Sequence, residues 1–181
     1  MKRLSISIFV LFVSYSFLLT GCGASLTEAI KTGNTTKIRA LVDKGADVNA
    51  IGKNGDTPLL FAIENGHAET VQILLERGAD ANYKRSIVVF RMTLPKSGTV
   101  SSVPMVHQSY WKLEHTPLSL AVQNGNLDIV RLLLDHRANP NVELLSHDLS
   151  KEERKVTPLS IAKEKGLTEM AEIITNAGAI K

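Results

Sequence analysis

Four stretches of the chain lie over one another: LTEAIKTGNTTKIRALVDKGADVN, TPLLFAIENGHAETVQILLERGADAN, TPLSLAVQNGNLDIVRLLLDHRANPN and TPLSIAKEKGLTEMAEIITNAGA. No other feature restricts the possible fold as much, because a short repeated unit cannot bury its own apolar face and must stack on its neighbours. The equivalent alanines are Ala29, Ala62, Ala121 and Ala162, the first two 33 residues apart. The later spacings, 59 and 41, are the same period enlarged by 26 and 8 residues.

The recurring residues have mechanical reasons to recur. Thr57, Thr116 and Thr157 can cap a helix with their hydroxyls, while Pro58, Pro117 and Pro158 take the first helical position, where a missing N–H costs nothing. Gly33, Gly66, Gly125 and Gly166 stand where that helix ends and a left-handed residue is wanted. A second helix follows, with apolar spacing such as Val71, Leu74, Leu75 or Ile129, Leu132, Leu133.

With these motifs the chain resembles the ankyrin-repeat family over residues 25–181. The resemblance implies an all-α repeat solenoid of helix-turn-helix units joined by β-hairpin-like fingers on its concave side. The units are expected at about 25–51, 52–84, 114–143 and 155–181, with insertions at 85–113 and 144–154. Two departures from the family pattern are expected to lower stability: Leu60, Ser119 and Ser160 replace the histidine of TPLH, and Arg137 replaces a turn glycine. The first and last units have the polar, incomplete look of caps.

Residues 1–21 read as a leader. Lys2 and Arg3 precede an apolar run from Leu4 to Leu19, shorter than the roughly 20 residues a spanning helix needs. Leu19-Thr20-Gly21-Cys22 resembles a bacterial lipobox, which implies lipidation of Cys22, with 22–24 as the lipidated start. Several acyl chains would make that anchor permanent. Gly23 holds the place where an acidic residue marks inner-membrane retention, so the expected address is periplasm-facing, on the outer rather than the inner membrane. Cys22 is the only cysteine, so no disulfide can support the domain. Without Lys2 and Arg3 the chain carries 19 basic and 18 acidic side chains, a balance that argues against nucleic acid as partner.

The insertion from Arg85 to Leu113 breaks the repeat at a place where the family projects a finger. SIVVF with RMTL, a turn at Pro95, Lys96, Ser97 and Gly98, and then VSSVPMV predict an elongated β-hairpin-like finger. Three of the five aromatic residues beyond the leader, Phe90, Tyr110 and Trp111, are here, with four cations (Arg85, Arg91, Lys96, Lys112) and no acid among them. Aromatic and arginine side chains are the usual anchors of interfaces. Two arrangements stay open: Val88, Phe90 and Trp111 fold onto the repeats as a satellite core, or some of the rings stand exposed as anchors. The expected contact row is Phe90, Arg91, Lys96, Tyr110 and Trp111, joined by Lys53, Asn54 and Asp56 at the tip of the uninterrupted finger. The second insertion, LLSHDLSKEERKV, predicts a short helical turn capped by Ser150 with Glu153 in the capping box, as a spacer or a further contact.

No nucleophile with its base, paired carboxylates, phosphate loop or metal spacing is present. His67 is expected to face solvent at the start of a helix, and His107 and His115 lack the partners of a ligand set. The sequence therefore predicts a monomeric, non-catalytic, cofactor-free protein that binds another protein. Within that class, an immunity protein or inhibitor against a periplasm-acting toxin competes with a scaffold for a resident periplasmic enzyme. Binding of the envelope or a lipid surface through the basic insertion is a third reading.

Overall fold

A computed structural model describes residues 26–91, 109–147 and 153–179. Four helix pairs follow one another: α1 (26–31) with α2 (Thr35–Asp43), α3 (Pro58–Glu64) with α4 (Ala68–Glu76), α5 (Pro117–Asn124) with α6 (Leu127–Asp135), and α7 (Pro158–Glu164) with α8 (Thr168–Asn176). Helices α3, α5 and α7 pack in one row, and α2, α4, α6 and α8 in a second. The described part is thus an all-α repeat solenoid with small hairpins between its units. The fourth unit repeats the helix pair in full.

One core runs the length of the stack, from Leu26 and Ile30 through Leu59, Ile63, Leu74, Leu118, Ile129 and Leu133 to Ile174. These side chains are at most 1 % exposed and belong to one continuous cluster, so the units share a core.

The helix starts form as their residues dictate. The hydroxyls of Thr57, Thr116 and Thr157 accept from the backbone N–H of Leu60, Ser119 and Ser160 at 3.2–3.3 Å. At two of these starts the serine that replaces histidine returns the bond: the N–H of Thr116 donates to Ser119 Oγ and that of Thr157 to Ser160 Oγ, each at 2.9 Å. The expected loss at these positions is therefore corrected, because a serine at the third helical position completes a reciprocal cap. Leu60 has no such oxygen, and Thr57 caps alone.

At the turns after α2, α4 and α8 the backbone is left-handed at Gly45, Gly78 and Gly178, and after α6 Arg137 takes the same conformation at φ 64°. The Arg137 carbonyl accepts from Asn82 Nδ2 at 3.2 Å, so the turn is also tied to the preceding unit. Arg137→Gly keeps that backbone contact and removes the crowding of Cβ. It is expected to stabilise the domain by about 1 kcal/mol, seen as a higher urea midpoint at unchanged m-value.

The hairpin expected of the first insertion is present, with β1 (Arg85–Arg91) pairing antiparallel with β2 (Ser109–His115); the turn expected at 95–98 and VSSVPMV lie outside the described residues. In the second insertion Glu153 belongs to a strand rather than a helical cap. There β3 (Leu144–His147) pairs antiparallel with β4 (Glu153–Val156), and Ser150 lies outside the described residues. Leu144 and Val156, directly opposite each other and both buried, root that hairpin in the core and favour it over a helical turn.

Candidate partner-binding face

Three fingers stand in the order of the repeats. Finger 1 is the short turn at 51–56, finger 2 the β1–β2 hairpin and finger 3 the β3–β4 hairpin. In finger 1 the Gly52 N–H donates to the Asp56 carbonyl at 2.8 Å and the Gly55 N–H to the Gly52 carbonyl at 3.0 Å. Lys53 and Asn54 are presented at its exposed tip. Ile51 beside them is 64 % exposed, unusual for a large apolar residue in this fold. Together with Leu26, Pro58 and Phe61 it lines an open cleft of about 390 Å³ at the first repeat.

Finger 2 is in continuous antiparallel register, from Arg85 opposite His115 to Arg91 opposite Ser109. Phe90 pairs with Tyr110 and Val89 with Trp111, so the three aromatic residues lie at two successive register positions of one ribbon. Arg91 sits at the end of the described ladder; Lys96 and His107 lie outside the described residues.

The root of finger 2 is built from buried and half-buried charges. Arg85 is only 7 % exposed. Its guanidinium donates to Asp56 of finger 1 and, at 2.9 Å, to Glu64 at the end of α3. Burial works against that charge, but the two carboxylates outweigh it and hold the guanidinium protonated. Arg85 is thus a buried strut, not one of four surface cations, and Asp56 is engaged within the protein. Tyr83, just ahead of the strand, adds a bond from its hydroxyl to the Gly55 carbonyl at 3.1 Å. Neither Tyr83 nor Glu64 stood out in the sequence, since their partners lie 28 and 21 residues away.

Glu114 ties finger 2 to finger 3. Its buried carboxylate receives Lys84 Nζ at 2.6 Å and the Leu145 N–H at 3.1 Å. Strands β2 and β3 consequently lie against each other without forming a common ladder. The two enlarged fingers stand side by side, as their common place in the repeat requires.

His115 closes the root and is also buried. Burial, and then the Arg85 charge, push its imidazole below the ordinary value of 6.5. The folded state holds the neutral ring, so stability does not depend on this group while the unfolded chain is neutral too. Below about pH 6.5 the unfolded chain takes up a proton first, and stability is expected to fall with falling pH. His115→Phe should flatten that slope in urea melts taken between pH 7.5 and 5. His67 is corrected as well: half-buried, it packs its ring over Gly33 of the preceding unit, where an added Cβ would lie 3.2 Å from Cε1.

Among the described residues no three His, Cys, Asp or Glu gather in a way that could hold a metal ion. No described helix is long and apolar enough to cross a membrane. The face offers fixed turns, ribbons and a cleft, which is equipment for binding.

Residues 16–85 match the family model for ankyrin repeats in three copies, and residues 114–143 match that for a single ankyrin repeat. No curated protein matches the chain. Repeats of this kind are protein–protein interaction modules, and no catalytic family is indicated. With matches over more than half of its 181 residues, and four stacked helix pairs carrying them, the chain belongs to the ankyrin-repeat family.

Proposed function

We propose that this protein is a lipid-anchored capture module that faces the bacterial periplasm and holds one partner protein against its fingers. The observation that carries the reading is the pair of enlarged hairpins standing side by side, rooted through Arg85 and Glu114 in buried charges. A spacer loop has no need of two buried carboxylate–cation anchors, whereas a contact surface gains affinity from being held in place before the partner arrives. Phe90, Arg91, Lys96, Tyr110 and Trp111, with Lys53 and Asn54 of finger 1, are the contact residues we assign. The anchor is the lipobox at Cys22, with Gly23 directing it to the outer membrane.

Within this class we favour neutralisation of a toxic enzyme that reaches the periplasm, its cleft occupied by finger 2. Tethering of a resident enzyme is the alternative, and the identity of the partner separates the two. Attachment to anionic envelope surfaces loses ground because Arg85 is neutralised by Asp56 and Glu64. Such attachment would also weaken steeply with salt.

The test is co-purification from detergent-solubilised cells at moderate salt, with the wild type beside a folded variant carrying Phe90→Ala, Tyr110→Ala and Trp111→Ala. One protein retained by the wild type and lost by the variant supports capture by the fingers. Equal retention by both assigns recognition elsewhere. Cys22→Ser should move the chain from the membrane to the soluble fraction, and a chain that stays membrane-bound would contradict the anchor.

A further inference from the structure

We propose that the outer edge of β1 is a strand-docking site, which takes an extended segment of the partner protein, uncharged along β1 and acidic at one end, as a third strand of finger 2. The proposal rests on the finger face being the binding face and specifies the chemistry of what binds there: main-chain hydrogen bonding along an open edge.

The two edges of the hairpin are treated differently. The β2 edge lies against β3, where the Glu114 carboxylate takes up the Leu145 N–H. The β1 edge has no strand beside it among the described residues, since the sheet contains β1 and β2 alone. Every second residue of β1 therefore directs its N–H and C=O away from the ladder. Proteins usually guard such an edge with lysine, proline, a bulge or a covering element. Here the devices are on the wrong strand for that purpose. Lys112 and Glu114 belong to the covered strand, whereas Ser86, Ile87, Val88, Val89 and Phe90 contain no charge, proline or glycine. The register from 85 to 91 has no bulge. Left in this state, the edge is a template for another strand.

The neighbouring finger leaves room for one. Finger 1 meets finger 2 at its root, through Asp56 with Arg85 and Gly55 with Tyr83, while β1 continues for six residues beyond Arg85. The root of that edge adjoins the cleft, since Asp56, the partner of Arg85, lines it together with Ile51, Lys53 and Phe61. Lys53 is exposed and makes no ion pair among the described residues. The segment that fits is apolar or threonine-rich along β1 and carries a carboxylate where it reaches finger 1. A second copy of this chain fits poorly. Antiparallel self-pairing about Val88 would set Arg85 of each copy opposite Arg91 of the other, and like charges in that position are destabilising.

The probe is an end-capped peptide of alternating threonine and valine with one terminal aspartate, made with the aspartate at either end and added to the full chain in detergent. Binding is read by fluorescence anisotropy and by amide hydrogen exchange. We expect alternate amides within Ile87–Phe90 to exchange at least tenfold more slowly with bound peptide. Methylation of the odd-numbered or of the even-numbered peptide nitrogens should abolish binding, but not both, because only one peptide edge faces β1. No binding, equal effects of the two methylations, or those outward-facing amides already protected in the free protein would overturn the proposal. So would sedimentation as a dimer with those amides protected, which would assign the edge to a second copy. If the peptide fails while the cellular partner is still captured through the fingers, strand docking falls and the capture reading stands. If the peptide binds with edge selectivity and no partner is ever captured, the reverse holds.

Discussion

Replacing Arg85 with alanine is expected to lower the stability of the domain by about 3 kcal/mol, the lower end of the range for breaking a buried ion pair. The side chain is 8 % exposed and is shared by two carboxylates from different elements, Asp56 of finger 1 and Glu64 of α3. Without it the two acids are left close together with no cation between them. They are 25 % and 35 % exposed, so partial rehydration keeps the cost from being larger. Both bonds come from one guanidinium nitrogen, Nη1, and Arg85→Lys should recover only part of the loss, because the shorter, more strongly hydrated ammonium gives up more water to take its place. Urea unfolding checks both variants. A loss below about 1 kcal/mol for the alanine would mean that the root behaves as an ordinary surface pair.

Glu114→Ala should cost about 2–3 kcal/mol, the range expected for hydrogen bonds to a buried charged group. Its carboxylate is 4 % exposed and joins Lys84, Ser86 and the backbone of Leu145. The specific sign is local: without Glu114 the Leu145 N–H loses its acceptor, and finger 3 should move independently of finger 2. Amide exchange at Leu145 is expected to speed up more than exchange in the helices. Glu114→Gln keeps an acceptor for Leu145 and should lose mainly the attraction to Lys84, with a correspondingly smaller effect. Equal exchange at Leu145 in all three proteins would show that the fingers are held together by something else.

What could be read from the sequence is what sequence-local contacts decide. Threonine caps, N1 prolines and turn glycines act within three or four residues, and each is found where its pattern placed it, including the left-handed Arg137. The stacking of the units followed from the period. The roots of the fingers could not be read in the same way. A run of residues with four cations and no acid looks like a basic surface until the fold brings Asp56 and Glu64 onto Arg85 from 29 and 21 residues away. The same applies to Glu114, which met Leu145 across 31 residues. The second insertion misled for a related reason: its serine and acids suit a helix start, but the burial of Leu144 against Val156 sets the pairing. Fingers are specified by what they touch, and the touching residues are distant in the chain.

In the proposed function the fingers, not the backs of the helices, meet the partner. The most direct test is photo-crosslinking in living cells, with a benzoylphenylalanine placed singly at positions 90, 110 and 111, at 53, and at 72 on the exposed side of α4. One common crosslinked protein is expected from the finger positions and none from position 72. A partner trapped from position 72 while the finger positions stay silent would contradict it.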